Sequence, residues 1–175
     1  RCGCWAHARR KFVEALPTDK ELIPTSTAAK GVNMINGFYA IERSLEELEP
    51  KAKHKQRQEQ LKPALDVFFA WLETVNASSG TKLSKAISYA LNEKKYLYRF
   101  LESPYVSMDN NRAENAIRPF VVGRKNWLFS NTQNGAQASA LIYSLATTAC
   151  ANGMNVEDYF YRLLTSDAPV MPWND

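Results

Sequence analysis

The chain has 175 residues, 45% of them hydrophobic and 23% charged, enough apolar material to bury one sizeable core. Its net charge of +4 is compatible with nucleic-acid binding without demanding it. No run approaches the roughly 18 apolar residues of a membrane span, no stretch reads as a signal peptide, and three cysteines (Cys2, Cys4 and Cys150) exclude a disulfide scaffold and point to a reducing cytoplasm.

In chain order, the first element is a helix from Trp5 to Leu16, with Ala6, Ala8, Phe12, Val13 and Leu16 mostly on one side, a basic run Arg9-Arg10-Lys11, and Pro17 as its stop. The chain opens at Arg1 directly on "CGCWAHARRKF", with no capping signal before it, as expected of a piece of a longer protein. Cys2, Cys4 and His7 invite a zinc reading, but a structural zinc site needs four ligands, and the other histidine, His54, lies in a charged stretch. Buried thiols are the expectation instead. "TDKELIPTST" reads as a connector in which Thr25, Ser26 and Thr27 offer N-caps. A long amphipathic helix follows, with Ala28, Val32, Ile35, Phe38, Ile41, Leu45 and Leu48 in steps of three and four. "EPKAKHKQRQEQ" reads as a solvated turn into a third helix bearing Leu61, Leu65, Phe68, Leu72 and Val75, with Pro63 near its first turn or bending it. After the break at "NASSG", Leu83, Ala86, Ile87, Ala90 and Leu91 mark a fourth helix, and Tyr96, Leu97, Phe100 and Leu101 a short fifth.

The chemistry changes at Pro104. "PYVSMD" is expected to be extended, "NRAENAIR" to be a short helix stopped by Pro119, and "FVVGRKNWLFSN" to be a strand or ordered loop. "TQNG" reads as a turn before a small-residue helix from Ala136 to about Ala151, closed by Asn152-Gly153. A last helix runs from Val156 to about Leu164, and the tail "SDAPVMPWND" is loosely held.

Glu114 carries two readings. Asn111-x-x-Glu114 fits a capping box, and Glu114 could also pair with Arg118 one turn on. Equally, a carboxylate aimed from a helix start is the kind of hard oxygen ligand a divalent metal takes for phosphodiester chemistry. Arg112, Arg118, Arg124 and Lys125 would then contact DNA phosphates, and Trp127 or Phe129 would stack on an unpaired base.

Two segments resemble the bacterial insertion-sequence transposases of the sixty-six family, which belong to the DDE class: "GCWAHARRKFVEA" (Gly3 to Ala15) and the long stretch from Asp109 to Leu164, which begins "DNNRAENAIRPFVVGRKNWLFSNTQNG". The resemblance implies a mainly α chain with little β structure: a helical insertion plus the C-terminal remnant of a ribonuclease H-like core. The implied division is 1–22 as a core helix, 23–103 as the insertion, 104–130 as the core segment with the glutamate-bearing helix, and 131–175 as a C-terminal helical region. It further implies DNA cleavage and strand transfer with Mg²⁺ or Mn²⁺ in the bacterial cytoplasm. Glu114 maps onto the third catalytic carboxylate, which is also a metal ligand. DNA ends and target, further copies of the chain, and accessory proteins of the same element are the implied partners.

In that family the two catalytic aspartates precede the "CWAHARR" helix. The chain alone is therefore expected to be inactive and to hold no metal tightly. Without a covering sheet, Trp5, Phe12 and the Ala140/Leu141/Leu145 face are expected to be exposed and to drive self-association. The competing expectation is a non-catalytic helical DNA-binding or assembly module, in which Arg9, Arg10, Lys11, Arg124 and Lys125 contact phosphates and Glu114 only caps.

Overall fold

The computed structural model describes residues 2–127 and 130–173, without the side chains at 124, 126 and 127. Its elements are α1 (Trp5–Glu14), α2 (Thr27–Ser44), α3 (Pro50–Gln56), a π-helical turn (Arg57–Leu61), α4 (Lys62–Thr74), α5 (Lys82–Leu97), a 3-10 turn (Arg99–Glu102), α6 (Asn111–Trp127), α7 (Gln133–Ala151) and α8 (Val156–Thr165). The chain is mainly α, as expected, with no strand among the described residues. It divides into two compact units, Arg1–Asn111 and Arg112–Asp175.

The first unit is built on an aromatic cluster. Trp5 and Phe12, expected to be exposed, are fully buried. Helices α2, α4 and α5 supply the cover that the sequence reading assigned to a missing sheet. The Trp5 ring meets Phe38 edge-on at 5.0 Å and Phe68 at 5.7 Å, and Phe12 meets Phe68 at 5.9 Å. Such pairs add to the burial of large rings. Trp5 Nε1 donates to the Leu97 carbonyl at 3.0 Å, while its backbone N–H donates to the Met108 carbonyl at 3.1 Å. One residue thus ties α1 to the end of α5 and to the segment before α6. Gly31 lets α1 and α2 approach closely: a Cβ there would lie 2.6 Å from the Phe12 ring.

Among the candidate caps of α2, Ser26 does the work, its hydroxyl accepting the Ala29 N–H at 3.1 Å. The stretch expected to be a solvated turn is helical instead. From Pro50 to Thr74 the chain runs α3, π turn and α4 without a break. The Lys62 N–H reaches back five residues to the Arg57 carbonyl. Pro63 follows directly; it has no N–H to give and its ring crowds the carbonyl four residues back, so the widened turn relieves a clash that a regular helix would keep. Further on, the expected fifth helix is the end of α5 plus the 3-10 turn, and "PYVSMD" forms turns and bends.

Arg57 sits inside this unit, although it belongs to a run of charged and polar residues. Its side chain is 1% exposed. The guanidinium donates to both oxygens of Glu42 and to the backbone carbonyls of Phe100 and Ser103, the first of these carbonyls at 2.9 Å. It also lies over the Phe100 ring, 5.2 Å from its centre.

In the second unit, α6 runs through Pro119 rather than stopping there, and the β-branched pair Val121-Val122 is helical. Asn115, whose carbonyl loses the N–H that Pro119 lacks, is exposed along with Pro119, so water can satisfy it. Phe120 meets Tyr143 of α7 edge-on at 5.1 Å. "TQNG" is the start of α7, not a separate turn: the Thr132 hydroxyl caps it through the Gly135 N–H at 3.0 Å. Gly153, at φ +78°, closes α7 as expected. Asn155 caps α8 through the N–H groups of Glu157 and Asp158.

Candidate functional site

Helix α6 starts from an acidic turn. Asp109 Oδ1 accepts the Asn111 N–H at 3.1 Å, bending the chain into the first helical residue. The expected capping box put Asn111 at the cap; here Asn111 is already helical, one position further in. Glu114 lies in the first turn, half-buried, where the unpaired N–H groups of the helix favour a carboxylate.

Residues four, seven and eleven positions on from Glu114 share its side of a helix of ~3.6 residues per turn. Arg118 and Lys125 therefore lie in one stripe with Glu114, and both are exposed. Arg112 is also exposed but projects from the far side of the turn. The side chains of Arg124 and Trp127, and all of Phe129, lie outside the described residues. Another stripe of α6 (Ala113, Ala116, Ile117, Phe120) faces α7 across an apolar pocket of about 350 Å³.

The described residues contain no group of three or more metal-ligating side chains. Cys4 is buried, whereas Cys2, also expected to be buried, is exposed; its thiol lies 3.9 Å from the Tyr96 carbonyl.

The first unit carries a feature that the sequence reading only half found. An open cleft of about 710 Å³ lies between α1 and α2, lined by Arg9, Arg10, Asn36, Tyr39, Arg43 and Asp109 among others. Arg9 Nε donates to Asn36 Oδ1 at 2.7 Å, and the Tyr39 hydroxyl donates to Asp109 Oδ2 at 3.4 Å. The run Arg9-Arg10-Lys11 does not act as one patch, because Lys11 turns away to lie 4.9 Å over the Tyr89 ring. The signal that was overlooked is the spacing Asn36, Tyr39, Arg43, which places three polar groups on one stripe of α2.

Burial pushes the Tyr39 phenol well above the ordinary tyrosine range, with the Asp109 charge adding to it. Tyr98 is raised in the same direction by burial and by its 2.7 Å hydrogen bond to Asp66. A phenol whose pKa is higher folded than unfolded adds stability below about pH 10, which is lost as the pH rises through the folded value. In an alkaline titration followed by tyrosinate absorbance, the part of the signal that belongs to Tyr39 and Tyr98 should appear only with loss of helix. Ionisation of all eight before any helix is lost would contradict this.

Residues 1–138 match the sequence profile of the family described as Transposase IS66 family, a span that includes all of α6. The chain is 31% identical over 184 aligned positions to the uncharacterized protein y4qI of Sinorhizobium fredii (strain NBRC 101917 / NGR234), covering 98% of this chain and 33% of that protein. The uncharacterized protein y4hP of the same organism is 30% identical over 188 positions, covering 97% of this chain and 34% of its own length. For the uncharacterized protein y4jD, again from that organism, the figures are 27% over 183 positions, 98% and 35%. The chain thus spans about a third of the length of these curated relatives. No solved structure matches it.

Proposed function

The chain belongs to the IS66 family of transposases, and from that premise we propose that it forms the glutamate-bearing part of a DDE transposase that cleaves DNA and joins the strands of an insertion sequence. The observation that carries this reading is the first turn of α6, where Glu114 stands half-buried at the head of a stripe continued by Arg118 and Lys125. Glu114 would supply one carboxylate arm to Mg²⁺ or Mn²⁺, with the two aspartates coming from elsewhere in a longer ribonuclease H-like protein. Bound there, the metal would polarise the phosphodiester and activate the attacking oxygen. Arg118 and Lys125, with Arg112, Arg124 and Trp127, would hold the DNA by its phosphates and one splayed base. On this reading the chain by itself neither cleaves DNA nor retains the ion. The test is strand joining by the longer protein carrying Glu114→Gln.

The same reading includes self-association in the assembly that brings two DNA ends together. Leu141 and Ile142 of α7 are 61% and 53% exposed, and an apolar face of this kind favours contact with another copy. Sedimentation of this chain should shift to larger species as concentration rises, and Leu141→Glu/Ile142→Glu should abolish the shift. A single monomeric species across the range would contradict it.

A further inference from the structure

We propose that the cleft between α1 and α2 of the first unit is a DNA-backbone site in its own right, with Arg10 and Arg43 as its phosphate ligands and Arg9 as its fixed wall. The proposal rests on the transposase reading for the choice of nucleic acid as the anion. The site itself rests on geometry.

Most arginines and lysines on a helical surface are solvated and aim nowhere in particular. Here the surroundings differ. Several other cations of this unit are engaged: Lys11 over Tyr89 at 4.9 Å, Lys30 over Trp71 at 5.1 Å, Lys53 with Glu42 at 3.2 Å, and Lys94 with Glu73 at 3.3 Å. Arg10 and Arg43 have no carboxylate partner among the described residues, yet they converge on one concave surface from two different helices. Arg9 lines the same cleft, its guanidinium oriented by Asn36 without loss of charge. Asp109 is the acid of the lining, and its two oxygens are taken by the Tyr39 hydroxyl and the Asn111 N–H. Three arginines against one aspartate leave the lining at +2.

Guanidinium forks match phosphate oxygens in shape as well as charge. A volume of about 710 Å³ exceeds what a lone phosphate would fill and suits a short run of sugar-phosphate backbone. The Asn36 side-chain amide, whose oxygen accepts from Arg9, keeps its N–H groups as neutral donors that position without reading sequence.

The test is the salt dependence of duplex DNA binding by this chain, measured by fluorescence anisotropy with Arg10→Gln/Arg43→Gln. Each phosphate contact contributes about 0.9 to the slope of log affinity against log salt, so the variant should lose about 1.8 in slope. Both residues are exposed, so the variant should keep the wild-type helical circular dichroism. Lys51→Gln/Lys85→Gln removes the same charge from exposed positions outside the cleft and should change the slope less. Equal effects from the two double variants would reduce the cleft to diffuse charge and overturn the proposal. So would an unchanged slope, or a wild-type chain with no DNA affinity. Because the Glu114 reading is tested by strand joining in the longer protein, failure of either one leaves the other readable.

Discussion

Glu114→Gln in the longer protein is expected to lower strand joining by more than about 100-fold while leaving DNA affinity essentially unchanged. Loss of residues that merely support a metal ligand costs about 10–100-fold, so loss of the ligand itself should exceed that range. Glutamine keeps the volume and a hydrogen-bonding oxygen but removes the charge a divalent cation requires. The structural role of Glu114 is smaller: a carboxylate in the first turn of a helix is worth about 0.3–1 kcal/mol. Folding should therefore survive the change, and thermal melting of the variant verifies this. Wild-type joining with Glu114→Gln would sink the catalytic reading and leave a helical DNA-binding or assembly module in its place.

Arg57→Ala is expected to destabilise the first unit by about 3–5 kcal/mol, the cost of leaving a buried partner charge uncompensated. Against a typical domain stability of about 5–15 kcal/mol, that is enough to populate the unfolded unit. Glu42 would keep Lys53 at 3.2 Å but lose both bonds from the guanidinium, and the carbonyls of Phe100 and Ser103 would lose their donor. Arg57→Met/Glu42→Met should recover much of the loss, because it removes the pair rather than half of it. Urea denaturation of the three proteins measures both effects. A cost below about 1 kcal/mol for Arg57→Ala would mean that water replaces the network and that it does not hold the 3-10 turn against α2.

Legibility varied with where the stabilising partners lie along the chain. Helix α2 was visible because Val32, Ile35 and Phe38 recur at helical spacing and all three are buried. The caps at Ser26 and Gly153 were visible because each acts within a few residues of itself. The stretch from Pro50 to Leu61 was misread because its charge resembles a solvated loop, while Arg57's partners lie 15, 43 and 46 residues away. Val121 and Val122 favour strands locally, yet the face made by Ala113, Ala116, Ile117 and Phe120 is satisfied by α7 only if the helix runs on through Pro119.

The amino-acid sequence by itself determined the helical class, most of the α2, α4 and α5 cores, and the motif that places Glu114 at the start of a helix. Those features follow from periodicity and capping, which are interactions within about one helical turn. Tertiary structure alone decided that Trp5 and Phe12 are covered, that Arg57 is an interior ion, and that Arg9, Arg10 and Arg43 face one cleft. Each depends on which helix packs against which, and burial and charge convergence arise between residues that no local pattern brings together.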